Sequence, residues 1–257
     1  MRKRRKKSKM GFTFVVLLAL LATFGASYAM WTENIQIHGT IGTMDDFNYL
    51  CLEGYWALDE ISPSTTAPDL SMNQNDGTVY GATWTPGSGI NGCLSFDGND
   101  YVDCGNDASL DISIGSWGLW VNFAIKPSNA GHPMNPIAKA EQYWIHASSD
   151  DSIQAKITIG GTRYIATTGA DFIVVDTWYH VFGTYDGSTL RLYLNGVEID
   201  SNTAPTGDLD TTSNIFTIGT WSSLVDYFQG TLDEVKIYSC ALSAGDILDE
   251  YDEGSPV

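Results

Sequence analysis

Basic residues are scarce in this chain once its first nine positions are set aside. Seven of the 13 Lys and Arg are Arg2, Lys3, Arg4, Arg5, Lys6, Lys7 and Lys9, and no Asp or Glu precedes Glu33. The remainder carries 6 basic against 31 acidic residues, a formal charge of 6 minus 31, or minus 25. Such a surface repels phosphate backbones, so nucleic acid is excluded as a partner. It is compatible with a solvated acidic coat, with divalent cations or with a saline medium, and composition does not choose among them. Helical periodicity is also missing, apart from one short run near the carboxyl end. The four His, at 38, 132, 146 and 180, form neither H-x-x-x-H nor H-E-x-x-H, which argues against zinc. No G-x-S-x-G, P-loop or dinucleotide fingerprint occurs.

What the chain does have begins with an apolar run, Met10 to Met30, behind the basic head, with Ser27 and Ala29 as small residues at an A-x-A-like site. This reads as a secretory signal over residues 1–29. The run is also long enough to span a bilayer, so an uncleaved anchor through residues 10–30 is the alternative. Either way the rest is expected outside the cell, secreted or at its surface. Residues 30–50 follow as a strand-like linker, in which Trp31, Ile35, Ile37 and Ile41 share one side of a period-2 pattern.

From position 51 to 257, short runs of β-branched and aromatic residues recur between Gly, Asn and Asp turn signals. The sharpest stretch is Thr177 to Asp200: two alternating runs separated by Asp186-Gly187 and closed by Asn195-Gly196. Many short strands with such turns predict an all-β sandwich or barrel in one domain of about 200 residues. One helix is predicted, Ala244 to Tyr251, with Ser243 as N-cap and Asp246 in the first turn. Trp56, Trp117, Trp120 and Trp178 fall in strands and are expected in the core, and His180 is read as a strand residue satisfied by a hydrogen bond.

Five motifs carry a family resemblance. They are G-Y-W-A-L-D-E from Gly54, P-D-L-S-M-N-Q-N-D-G-T from Pro68, L-S-F-D-G-N-D-Y-V from Leu94, the Thr177 to Asp200 stretch, and F-Q-G-T-L-D-E-V-K-I-Y from Phe228 with A-L-S-A following. In this order they resemble the laminin G-like, concanavalin A-like jelly-roll domains, with Met72 standing where the family has Gly. The resemblance implies a two-sheet antiparallel jelly roll with one short carboxyl-terminal helix. The amino end, A-S-Y-A-M-W-T-E-N-I onward, resembles exported proteins of the TasA and camelysin type, which implies surface assembly.

Four cysteines in an exported chain predict two disulfides, with three pairings open. Folding the chain about Gly98-Asn99 sets Cys93 opposite Cys104 in a hairpin, a position where a cross-strand bridge fits. Jelly rolls of the resembled kind place their first and last strands side by side, which implies a Cys51–Cys240 clasp. For metal, Asp69, Asn73, Asn75 and Asp76 gather hard oxygen donors in one loop, and Asp233 with Glu234 adds carboxylates. The resemblance brings these segments together at the sandwich edge, and implies a structural calcium ion on Asp69, Asn73 and Asp233. The alternative is a loop that caps itself through Asx turns.

Glycan or protein ligands are expected on aromatics near loops: Tyr143, Trp144, Trp221 and Tyr227, with Phe228 beside them. Related glucanases use E-x-D-x-E with paired carboxylates. Here Glu198-Ile199-Asp200 is followed by Ser201, and Glu250, Asp252 and Glu253 read as a solvated tail, so no catalytic residue is assigned. The expected function is therefore non-enzymatic recognition of carbohydrate or protein at the cell surface. A structural subunit of a surface layer or fibre is the alternative, and a glycoside hydrolase the least favoured reading.

Overall fold

The computed structural model describes residues 50–252 together with Gly254 and Pro256. The expected signal or anchor, the amino-terminal strand and the membrane span through residues 10–30 lie outside the described residues. Among those described, no helix is long and apolar enough to cross a membrane.

Among the described residues sixteen strands form two antiparallel sheets of eight. The first sheet runs, in spatial order, β14 (Val197–Asn202), β13 (Leu190–Leu194), β12 (Trp178–Tyr185), β7 (Gly115–Phe123), β16 (Gln229–Tyr238), β5 (Leu94–Asp97) and β4 (Thr83–Trp84). Strand β1 (Leu52–Trp56) pairs with the far half of β16. The second runs β11 (Thr162–Thr167), β10 (Ile153–Ile159), β9 (Tyr143–Ala147), β8 (Met134–Lys139), β15 (Phe216–Ile218), β6 (Tyr101–Asp103), β3 (Gly77–Tyr80) and β2 (Thr66–Ala67). The expected jelly-roll sandwich is the fold that forms.

Period-2 alternation explains the core. Trp117, Leu119, Val121 and Phe123 of β7 point inward with Val181 and Tyr185 of β12 and Leu232, Val235 and Ile237 of β16, all fully or almost fully buried. Opposite them the second sheet contributes Ile137, Tyr143, Ile145, Ile157 and Phe216. Each such side chain adds about 1.5–3 kcal/mol of burial against the chain entropy of folding. The turn closing β13 has both Asn195 (φ 50°) and Gly196 (φ 75°) in the left-handed region, the geometry a two-residue hairpin requires.

The edges of the two sheets are tied on one side, where Thr167 donates to the Asp200 carboxylate and Asn202 to the Ile165 carbonyl. Strands β14 and β11 are thereby kept from pairing with another chain. The carboxyl-terminal helix, α2 (Ala244–Asp252), follows a four-residue helical turn, α1 (Pro127–Ala130). A reciprocal cap starts α2: Asp246 N–H donates to Ser243 Oγ, and Ser243 N–H donates to Asp246 Oδ2. Its Ile247 packs with Phe182, Tyr193, Tyr238 and Leu242 in a second apolar cluster on the outer face of the first sheet.

Cys51 and Cys240 are bonded, with their Cα atoms 5.8 Å apart, and clasp the start of β1 to the end of β16. Cys93 and Cys104 are buried free thiols, so the expected second disulfide is corrected. The reason is topological. Residues 94–97 belong to the first sheet and 101–103 to the second, so the Gly98-Asn99 bend is a crossover between sheets and not a hairpin turn. Asp100 Oδ2 holds that bend by accepting from the Asp97 N–H.

Candidate functional site

Three places in the sandwich bear on function: the loop after β2, the sheet edge at Asp233, and the outer face of the second sheet.

In the loop, Asp69 is 7% exposed and fully used by its own surroundings. Its Oδ1 accepts from the N–H groups of Tyr55 and Ser71, and its Oδ2 from the Ser71 hydroxyl and the Asn75 N–H, all at 2.8–2.9 Å. Asn73 turns its amide to the carbonyl and carboxylate of Glu53. A carboxylate with four donors on it has no lone pair aimed at an ion. The expected calcium ligands Asp69 and Asn73 are therefore corrected: they build a self-capped Asx loop that anchors β1.

The edge at Asp233 is the opposite case. This side chain is fully buried, and only its Oδ2 is partnered, by the Ile90 N–H at 2.6 Å. Asp233 Oδ1, Asp59 Oδ1 and Glu60 Oε2 are buried without a partner. Burial is the main reason that the Asp233 carboxyl is pushed up to about 8, with Glu234 and Asp59 adding like charge. The 89–92 loop wraps tightly here: a Cβ on Gly89 would lie 2.3 Å from the Gly92 carbonyl and 2.6 Å from Asp233 Oδ2. Glycine at 89 is what lets the loop pass this close to the Asp233 carboxylate.

Orphaned hard oxygens of this type fit a divalent cation of the calcium class. Among the described residues no three His, Cys, Asp or Glu side chains converge, so such an ion would rest on Asp59, Asp233 and backbone carbonyls. Asp59 and Glu60 are the D-E of the first motif, visible in the sequence and passed over in favour of the donor-rich loop.

On the outer face of the second sheet, Tyr80 and Tyr101 are register partners in β3 and β6. Their rings stack 4.6 Å apart at 14°, and Tyr227 lies 6.5 Å beyond Tyr101. Tyr80 is 46% exposed, and Leu224 and Val225 stand exposed beside the row. The segment that delivers Tyr227 and Trp221, residues 219–228, is pinned at both ends. Gly219 N–H donates to the Pro136 carbonyl, Phe228 N–H to the Gly219 carbonyl, and Thr220 Oγ1 to the Val225 carbonyl. Phe228 itself is fully buried.

Further along the same face Trp221 meets Trp144 edge-on at 5.2 Å, and the Arg163 guanidinium lies 5.7 Å over the Trp144 ring. His146 Nδ1 is bonded to Asn135 Oδ1 at 2.9 Å, and burial drops its pKa to about 3.

Of the four expected ligand residues, Trp221 and Tyr227 are half-exposed on this platform. Tyr143 is corrected: it is fully buried, its hydroxyl donates to the Leu110 carbonyl, and its ring packs on Trp117 and Phe216. Trp144 is corrected too, since Trp221 and Arg163 cover it to 2% exposure. Tyr80 and Tyr101 were missed; the signal was their placement on outward positions of facing strands.

The two antiparallel sheets define the class of the fold, a concanavalin A-like jelly roll. The chain belongs to the concanavalin A-like lectin/glucanases superfamily: the laminin G-like family profile matches residues 96–248, more than half of its length. Among solved structures it is similar to domain 4 of AbnA, a GH43 extracellular arabinanase from Geobacillus stearothermophilus, solved in complex with arabinotriose. That likeness has a TM-score of 0.61 and 22% identity, covering 77% of this chain and 97% of the other. It is also similar to the binding domain of Paraclostridial Mosquitocidal Protein 1 (TM-score 0.61, 16% identity, 80% of this chain and 52% of the other). The botulinum neurotoxin serotype D binding domain gives 0.62, 14%, 82% and 53%. The chain spans about half the length of those two toxin domains. No curated protein sequence matches it.

Proposed function

We propose that this chain is an exported, non-enzymatic binding domain that takes carbohydrate on the platform of Tyr80, Tyr101, Tyr227 and Trp221. The observation that carries the reading is the parallel Tyr80–Tyr101 pair beside a hydrogen-bonded loop. Flat, pre-ordered aromatic faces offer a sugar ring contact area with little side-chain entropy left to lose. The arabinotriose complex of the similar arabinanase domain supports a glycan as ligand. Exposed Leu224 and Val225 on the same rim favour a cell-surface protein as the second reading, which the toxin binding domains also support.

A calcium ion on Asp59 and Asp233 belongs to the proposal, as a structural cofactor that neutralises buried carboxylates and fixes the 89–92 loop. An ion held at 100 times its dissociation constant stabilises the fold by about 2.7 kcal/mol. Thermal unfolding with calcium and with chelator tests this: the midpoint rises with calcium in the wild type and not in Asp233→Asn. Equal midpoints in both media would remove the ion from the account.

The ligand proposal is tested by a glycan array with the full chain, followed by titration of Tyr101→Ala. Loss of about tenfold or more in affinity in a variant that stays folded by circular dichroism is expected. Unaltered binding by that variant would rule out the platform.

A further inference from the structure

A half-open cavity of about 220 Å³ lies on the other side of the sandwich, under α2 on the outer face of the first sheet. Its walls include the rings of Tyr55, Trp120 and Phe182. Three charged side chains line it, Glu234, Lys236 and Glu250, each only 12–13% exposed.

Their hydrogen-bond accounts are one-sided. Tyr55 donates its hydroxyl to Glu234 Oε2, Tyr238 donates to Glu250 Oε1, and Lys236 Nζ donates to Glu250 Oε2 at 2.6 Å while lying 3.7 Å from Glu234. Each of the two carboxylates thus accepts from a tyrosine hydroxyl, and Lys236 bridges toward both. His180 also lines the cavity, 2% exposed, and its Nδ1 has no partner. Burial, with Lys236 nearby, keeps this imidazole neutral by lowering its pKa to about 3.

Among the described residues the lining therefore carries two carboxylates against one ammonium, set among aromatic faces. Even with a divalent cation on the adjoining Asp59 and Asp233, one negative charge stays uncompensated. An anionic guest is repelled, whereas an ammonium or guanidinium group supplies the missing charge. The volume lies below the ~300–1,000 Å³ of drug-sized sites, which limits the guest to a compact one.

We propose that this cavity is a second ligand site, selective for a compact organic cation bearing a primary ammonium or guanidinium. It is separate from the tyrosine platform and does not depend on that reading. Glu234 and Glu250 take the charge, and the rings of Tyr55 and Trp120 flank the carbon skeleton. Lys236 sits where the guest's head group would go, so it competes with the guest.

Calorimetric titration of the full chain in calcium-saturated buffer tests the site with four probes. Glucosamine and cadaverine carry the ammonium; N-acetylglucosamine keeps the sugar ring without the charge; Nα-acetyl-lysine methylamide represents a protein side chain. The cations are expected to bind at least tenfold more tightly than N-acetylglucosamine. Whether glucosamine or the lysine derivative binds better separates an amino sugar from a partner protein as the source. E234Q should weaken cation binding about tenfold. K236M should strengthen it several-fold, a gain that a merely structural role for Lys236 does not produce. Tyr101→Ala should leave it unchanged. Equal binding of the charged and acetylated sugars would overturn the proposal, as would a K236M variant that stays folded by circular dichroism and binds no better than wild type.

Discussion

The two outer faces of the sandwich use similar residues to opposite ends. On the first sheet, His180, Trp120 and Phe182 are roofed by a helix, and Tyr251 of that helix stacks on Trp120 at 5.5 Å. On the second sheet, Tyr80, Tyr101 and Tyr227 form a row that stays partly exposed, Tyr80 and Tyr101 stacked on each other. The difference arises from where the chain goes after its last strand. Clasped by Cys51–Cys240, it turns back over the first sheet as α2. One face thereby becomes a shaped, charged pocket under a helix and the other stays open. An outward aromatic is thus covered on one sheet and partly exposed on the other, with nothing in its own strand to distinguish the two.

The sharpest way to break this contrast is to release the roof. Cys51→Ser with Cys240→Ser opens a clasp of sequence separation 189. It should cost about 5 kcal/mol on the chain-entropy estimate, read by denaturant unfolding. Amide exchange should rise in α2 and leave β3 and β6 unaltered.

Acid offers a second, smaller lever, since each face holds one buried neutral histidine. Both His180 and His146 have folded pKa values lowered to about 3 from an unfolded 6.5. The unfolded chain therefore binds the extra protons, and stability falls as pH drops from about 6.5 toward 3, by a few kcal/mol for each residue. His180→Gln should flatten that slope about as much as His146→Gln. An unchanged acid limb in either variant would show that its imidazole is not held neutral by burial.

Least disruptive to the fold is Tyr101→Ala. Loss of its stacking on Tyr80 should cost about 1 kcal/mol, while removing the centre of the tyrosine row.

Much of the fold was legible from local chemistry. Asn195-Gly196 demanded a tight hairpin, Ser243 and Asp246 a helix start, and alternation in Trp178 to Tyr185 a central strand. Each depends on residues adjacent in sequence, so each could be read there. Gly98-Asn99 misled because a bend's sequence does not say whether the next strand pairs with the last or crosses to the other sheet. For the proposed calcium ion the loop richest in oxygens is the more attractive in the sequence. Yet Asp69 is satisfied by N–H groups that the sequence does not display, whereas Asp59 and Asp233 meet only in the fold. Glu250 was read as a solvated tail residue; α2 carries it onto Lys236 and Tyr238. Tyr143 and Trp144 illustrate a further limit: alternation put one in the core, and only tertiary packing shows Arg163 and Trp221 covering the other.

The division of labour between the faces is tested most directly by titrating one oligosaccharide, the best binder from the array, into wild type, Tyr101→Ala and Glu234→Gln. The account predicts at least tenfold weaker binding for Tyr101→Ala and wild-type affinity for Glu234→Gln. Wild-type affinity in Tyr101→Ala, with loss in Glu234→Gln, would contradict it and move carbohydrate recognition to the enclosed face.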